Sequence, residues 1–242
     1  MHREKRGDLP PIGGVIFDMD GTLTRTNELI FASFNHVAEK YSGRRFSPPE
    51  IIALFGPPEE GALRRIVGDD RVGAAMDDLC VFYRDNHAAM AGLHDGIAES
   101  LAFLKGRGVT LAVFTGKGRR TTLITLEALG IAGYFDIVVT GSDVAAHKPD
   151  PEGIRKILLA CALDPAGVLM VGDTIHDIRA ARDAGVIPVA VLWDSYDHER
   201  VLQAAPDYVF HSVPAMTAWL RTGVRFVEVG PKRDGTYDRE RT

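Results

Sequence analysis

A chain of 242 residues, 45% hydrophobic and 25% charged, is long enough for one large globular domain, or one and a half, with a sizeable core. Its formal net charge of −5 lacks the basic footprint that nonspecific nucleic-acid binding requires, so no nucleic-acid partner is expected. Cys80 and Cys161 fall in helix-like segments and form neither a disulfide framework nor a zinc site.

The N-terminal stretch Met1-His2-Arg3-Glu4-Lys5-Arg6 is charged and no hydrophobic signal core follows it. No apolar run reaches the ~20 residues that span a bilayer, so the expectation is a cytoplasmic protein without a membrane partner. The first apolar strand, 15–17, ends in Asp18-Met19-Asp20-Gly21. A strand entering a core should not finish on two carboxylates unless a cation meets them, because unpaired buried charge is costly and close like charges push one pKa up. Oxygen ligands of this kind suit a hard ion such as Mg2+.

From about 27 to 90 the chain reads as wholly helical. Leu29, Ile30, Phe34 and Val37 recur at helical spacing, as do Leu63, Ile66 and Val67, then Met76, Leu79 and Cys80. Pro48-Pro49 and Pro57-Pro58 start new helices within it. This predicts a helical insert that can act as a lid over a strand-end site. Where the insert returns, His94 is either a substrate contact or a polar hinge residue. Arg64 and Arg65 are either contacts to a substrate carboxylate or, the favoured reading, a solvated helix face.

Strands are then predicted at 110–114, 137–140, 168–171, 189–192 and 208–210, with helices at 97–107, 120–129, 151–161 and 177–184. Such alternation reads as βαβ units on a parallel sheet, whose ligands bind beyond the carboxyl ends of the strands. Thr115-Gly116-Lys117-Gly118 follows one such end and offers a hydroxyl and free N–H groups to an anion. Lys148 stands before a proline-started helix, where it can neutralise a phosphate or an aspartate. The 168–171 strand ends in Gly172-Asp173, and Asp177 lies one helical turn on. Asp173 is also a candidate cap for the following helix. The expected organisation is an α/β core at 12–24 and 93–222, a helical cap at 25–92 and a tail at 223–242, with the last ~10 residues poorly ordered.

In order, Asp18-Met-Asp20-Gly-Thr-Leu, Thr115, Lys148-Pro and Gly172-Asp173-Thr-x-x-Asp177 resemble the four motifs of the haloacid dehalogenase-like superfamily over about 13–220. The insert resembles the helical cap of its phosphoglycolate phosphatase and β-phosphoglucomutase group, and Phe55-Gly56-Pro57-Pro58 a loop of phosphoglycolate phosphatase-like and pyrophosphatase-like members. The resemblance implies a Rossmann-like core, a parallel sheet with an inserted all-helical cap, and a small phosphorylated metabolite as partner. It implies Asp18 as nucleophile and Asp20 as general acid and base. Mg2+ would be held by Asp18, the Asp20 main-chain carbonyl and Asp173, with Asp177 orienting the shell. Thr115, Gly116 and Lys148 would bind the phosphoryl group. Asp20 argues against a dehalogenase, and Lys40 as the only lysine of the insert argues against a phosphonate hydrolase. A phosphatase is expected, with phosphoglycolate the first candidate substrate. A pyrophosphatase, a phosphomutase and a non-catalytic phosphate-binding regulator are the alternatives. Oligomeric state is not legible in the sequence.

Overall fold

The computed structural model describes residues 9–56 and 58–227. The expectation for the last residues, and Pro57 of the cap loop, lie outside the described residues. In chain order, β1 (Gly14–Phe17) and the two-residue β2 (Thr24–Arg25) are followed by α1 (Asn27–Ser42), α2 (Pro48–Ile52), α3 (Glu59–Val67) and α4 (Val72–Met90). The two-residue β3 (Gly92–Leu93) then leads into α5 (Ile97–Gly106), β4 (Thr110–Phe114), α6 (Arg119–Ala128) and β5 (Ile137–Val139). The remainder is α7 (Glu152–Ala160), β6 (Val168–Gly172), α8 (Ile175–Ala184), β7 (Ile187–Val191), α9 (His198–Gln203), β8 (Tyr208–Phe210) and α10 (Val213–Thr222).

Six strands form one parallel sheet in the order β5-β4-β1-β6-β7-β8. Successive strand residues point to opposite faces, and both faces are covered. Val15, Phe17, Leu111, Val113, Leu169 and Val171 pack on one side with Leu101 of α5 and Met216 of α10. Ile16, Ala112, Phe114 and Met170 pack on the other with Ile157 of α7 and Ala181 of α8. The near-continuous apolar runs read as strands therefore follow from burial on both faces. Ile12 and Phe226 add a parallel bridge at the sheet's amino end, so residues up to Val227 lie against the core.

The chain leaves β1, crosses to β4 on one side and later returns to β6 on the other. β1 is thus the point where strand order reverses, the place where open α/β sheets bind ligands. The insert is helical from α1 to α4, entered and left through β2 and β3, which pair antiparallel with Thr24 opposite Leu93. Leu29, Phe34, Leu63, Met76, Leu79 and Tyr83 give it a core of its own. Ser47 and Glu50 form a capping box that starts α2 at Pro48, where proline costs no helical hydrogen bond. Ile124 of α6 belongs to this second core, so the insert packs directly on a helix of the sheet domain. Among the described residues no helix is long and apolar enough to cross a membrane.

Candidate active site

Register places the functional groups. Phe17 pairs with Val113 on one side and Val171 on the other, so β1, β4 and β6 end level with one another. Asp18, Thr115 and Asp173 emerge there as neighbours although they are remote in sequence. Carboxylate oxygens of Asp18, Asp173 and Asp177 all lie within 4.8 Å of one another, and all three residues are buried. Lys148 Nζ stands 2.7 Å from Asp18 Oδ1 and 2.6 Å from Asp177 Oδ1. Thr22 Oγ1 donates to Asp173 Oδ1 at 3.0 Å.

Two glycines permit this crowding. Gly21 has φ +81°, and a Cβ there would lie 2.6 Å from Asp173 Oδ2. A Cβ on Gly172 would lie 2.4 Å from Asp177 Cβ and Cγ. Asp177 is fixed by the start of α8. Thr174, not Asp173, is the N-cap: its hydroxyl accepts from Asp177 N, while Thr174 N and Oγ1 donate to Asp177 Oδ2. Thr174-x-x-Asp177 was the sequence signal for this reciprocal cap.

Three carboxylates facing one lysine leave an excess of buried negative charge. Burial, partly offset by Lys148 and reinforced by Asp177, pushes the Asp18 carboxyl up to about 7. Burial and the neighbouring Asp18 likewise raise Asp173 well above the ordinary carboxylate range. Burial alone would lower Lys148, but Asp177 and Asp18 outweigh it and keep the ammonium charged. An all-oxygen, acid-rich set that is electrostatically unfinished fits a hard divalent cation, so the residues present suit Mg2+.

Asp20 is held differently. Thr26 Oγ1 donates to Asp20 Oδ1, and Lys117 Nζ lies 3.3 Å from Oδ2. Lys117 was quoted in its motif but given no role by the sequence. It is buried with its ammonium 4.7 Å from the centre of the Tyr83 ring. Burial opposes its charge, yet Asp20 and Tyr83 hold its pKa above the ordinary lysine value. Glu59 also escaped sequence reasoning. From the insert it accepts Gly118 N at 2.7 Å and the Thr121 hydroxyl at the start of α6. Only long-range packing brings these groups together, so no local pattern announces them.

A cavity of about 550 Å3 opens between sheet domain and insert. Asp18, Asp20, Thr115, Gly116, Lys148 and Asp173 line it. His94 does not. It stacks edge-on near Trp193, and its Nε2 lies 3.5 Å from Asp194 Oδ2 beside the β2–β3 crossing. Burial and nearby Arg25 lower its pKa to about 4, which favours the neutral imidazole. Arg64 and Arg65 are exposed and off the cavity, with Arg64 paired to Asp69 at 2.6 Å.

The sequence and the fold both have counterparts among known proteins. The chain belongs to the haloacid dehalogenase-like hydrolase family, whose model matches residues 15–191. It is 35% identical over 207 residues to a protein named pyrophosphatase PpaX from Halalkalibacterium halodurans, covering 84% of this chain and 94% of that one. It is 32% identical over 206 residues to the like-named Bacillus velezensis protein, covering 84% and 93%. A crystal structure from Haemophilus somnus, described as a predicted phosphoglycolate phosphatase, superposes with a TM-score of 0.77 at 24% identity, covering 86% of this chain and 97% of that one. Family and fold together make the chain a haloacid dehalogenase-like hydrolase with an α/β core and a helical insert.

Proposed function

We propose that the chain is a Mg2+-dependent phosphatase that hydrolyses a small phosphate monoester through an aspartyl-phosphate on Asp18. The observation that carries this reading is the buried Asp18–Asp173–Asp177 cluster with Lys148 inside it, at the strand ends beneath the insert. A phosphate dianion repels a carboxylate nucleophile, so cationic groups must stand between them. Asp18, the Asp20 main-chain carbonyl and Asp173 would hold Mg2+, and Asp177 would orient that shell through its cap on α8. When bound, the ion supplies charge neutralisation at the transferring phosphoryl group.

Lys148 holds one oxygen of Asp18, and the other attacks phosphorus. Thr115 and Gly116 N–H receive the phosphoryl oxygens. The P–O bond to the leaving alcohol breaks as Asp20 gives that oxygen a proton. Asp20 then takes a proton from water, which attacks the aspartyl-phosphate and frees inorganic phosphate and Asp18. Thr26 and Lys117 fix the Asp20 carboxylate for both halves. The insert shields the first transfer from bulk water.

Phosphate release should be measured on a panel of monoesters that includes phosphoglycolate, implied by the cap resemblance, and on the anhydride pyrophosphate, suggested by the relatives' names. Release that needs Mg2+, stops in chelator and is lost in Asp18→Asn supports the proposal. Undiminished turnover in Asp18→Asn would refute it. Pyrophosphate is the second reading, favoured by the relatives of 35% and 32% identity.

A further inference from the structure

We propose that the site selects monoesters whose leaving group is uncharged and aromatic, rather than one bearing a second anion. This rests on the phosphatase reading above. The apolar residues that the insert contributes to the cavity lining are Ile30, Phe34, Ile52, Leu54, Phe55 and Ala62, and a leaving group held beneath the insert would lie against them. The polar side chains that the insert adds among the described residues are Asn27 and Glu59, and the charged one is an anion. No lysine or arginine of the insert lines the cavity among the described residues.

The buried cations of the sheet domain are already committed. Lys148 is bound to Asp18 and Asp177, and Lys117 to Asp20. Arg200 reaches the rim but lies 3.5 Å from Asp197, and His176 completes the basic groups on that side. A carboxylate or second phosphate placed against the apolar residues of the insert would lose hydration without gaining a cationic partner there, and Glu59 would repel it.

Size and aromatic content agree. A cavity of about 550 Å3 falls within the ~300–1,000 Å3 typical of sites for drug-sized organic ligands. Phe55 on the insert and Tyr196 on the loop after β7 both line it, yet remain 41% and 52% exposed. Phe55 is backed by Phe31, with ring centroids 6.5 Å apart and near-parallel planes. Exposed aromatic faces at a cavity mouth are surface that a ring-bearing ligand would cover.

The test compares benzyl phosphate, ethyl phosphate, phosphoglycolate and pyrophosphate on the Mg2+-loaded enzyme. Benzyl alcohol and glycolate are both aliphatic alcohols, so their intrinsic leaving abilities are similar. Expected is a kcat/KM for benzyl phosphate about tenfold or more above phosphoglycolate and pyrophosphate. The benzyl-to-ethyl ratio should fall by about tenfold in Phe55→Ala or Tyr196→Ala. Equal or better turnover of phosphoglycolate or pyrophosphate, or a ratio that neither variant moves, overturns the inference. If no ester or anhydride releases phosphate, the phosphatase reading itself fails. Calorimetry with benzylphosphonate and phosphonoacetate then decides the pocket alone: tighter binding of the benzyl compound supports an aromatic subsite, and equal or weaker binding overturns it.

Discussion

Asp18 and Asp177 share one ammonium group, and Asp177 packs against a residue that has no side chain. Gly172 ends β6, and any Cβ there would collide with Asp177 at 2.4 Å. The colliding atoms are not the tip of a flexible chain, because Asp177 is fixed at both oxygens, by Lys148 and by Thr174. Gly172→Ala must therefore push the Asp177 carboxylate off its partners or bend the start of α8. A displacement of this order costs about 10²-fold in kcat/KM through misplaced catalytic groups. Steady-state kinetics with any turned-over ester checks this, alongside circular dichroism to establish that the variant folds. Activity within about twofold of wild type would show that Asp177 does not position the centre.

The loop before α7 delivers Lys148, and its hold is electrostatic. The Glu152 carboxylate accepts Ala145 N at 3.0 Å and Ala146 N at 2.8 Å and pairs with Lys156 at 2.7 Å. The Lys156 hydrogen bond, then those from Ala146 and Ala145, lower its pKa from the ordinary 4.5 to about 2. A carboxylate with a lowered folded-state pKa stabilises the fold above its unfolded value and loses that contribution as pH falls through the folded one. The melting-temperature advantage of wild type over Glu152→Gln should thus be full at pH 7, shrink below about 4.5 and vanish near 2. A difference independent of pH would mean that the loop is held by packing. The helices and strands around this loop were legible because each is an apolar run bounded by turn residues. β7 begins at Ile187, two residues before the strand start expected from sequence, because Pro188 usually marks a strand's limit. Its carbonyl still accepts Asp207 N, so the ladder tolerates it. The two-residue β2 and β3, and the six-residue α9, are too short to show a period. Strand-end acids were legible for the opposite reason, since a carboxylate after a buried run contradicts its surroundings. Lys117 and Glu59 sit in polar loop-like sequence that contradicts nothing, and only the packing of the insert on α6 buries them.

At the scale of the molecule, the acid cluster joins two elements that begin 154 residues apart, from Gly14 of β1 to Val168 of β6, and its crowded buried charge opposes folding. Asp18 and Asp173 are both raised by burial, which disfavours two adjacent ionised groups. A ligand that binds only the folded chain stabilises it by about 2.7 kcal/mol at a concentration of 100 times Kd. For a chain of this size each kcal/mol raises Tm by roughly 2–4 °C, so saturating Mg2+ should raise it by roughly 5–10 °C. Asp173→Asn separates function from stability. The asparagine Oδ1 can still accept the Thr22 hydroxyl, and the Ser195 hydroxyl donates to the Asp173 main-chain oxygen at 2.6 Å, which the substitution leaves in place. The substitution therefore removes a crowded charge without breaking its supports. Metal-free Asp173→Asn should melt at or above the metal-free wild type, and Mg2+ should raise its Tm little. Scanning calorimetry of both proteins in chelator and in excess Mg2+ reads the two effects together. A variant that melts lower in chelator, or gains as much from Mg2+ as wild type, would show that Asp173 serves the fold rather than the ion.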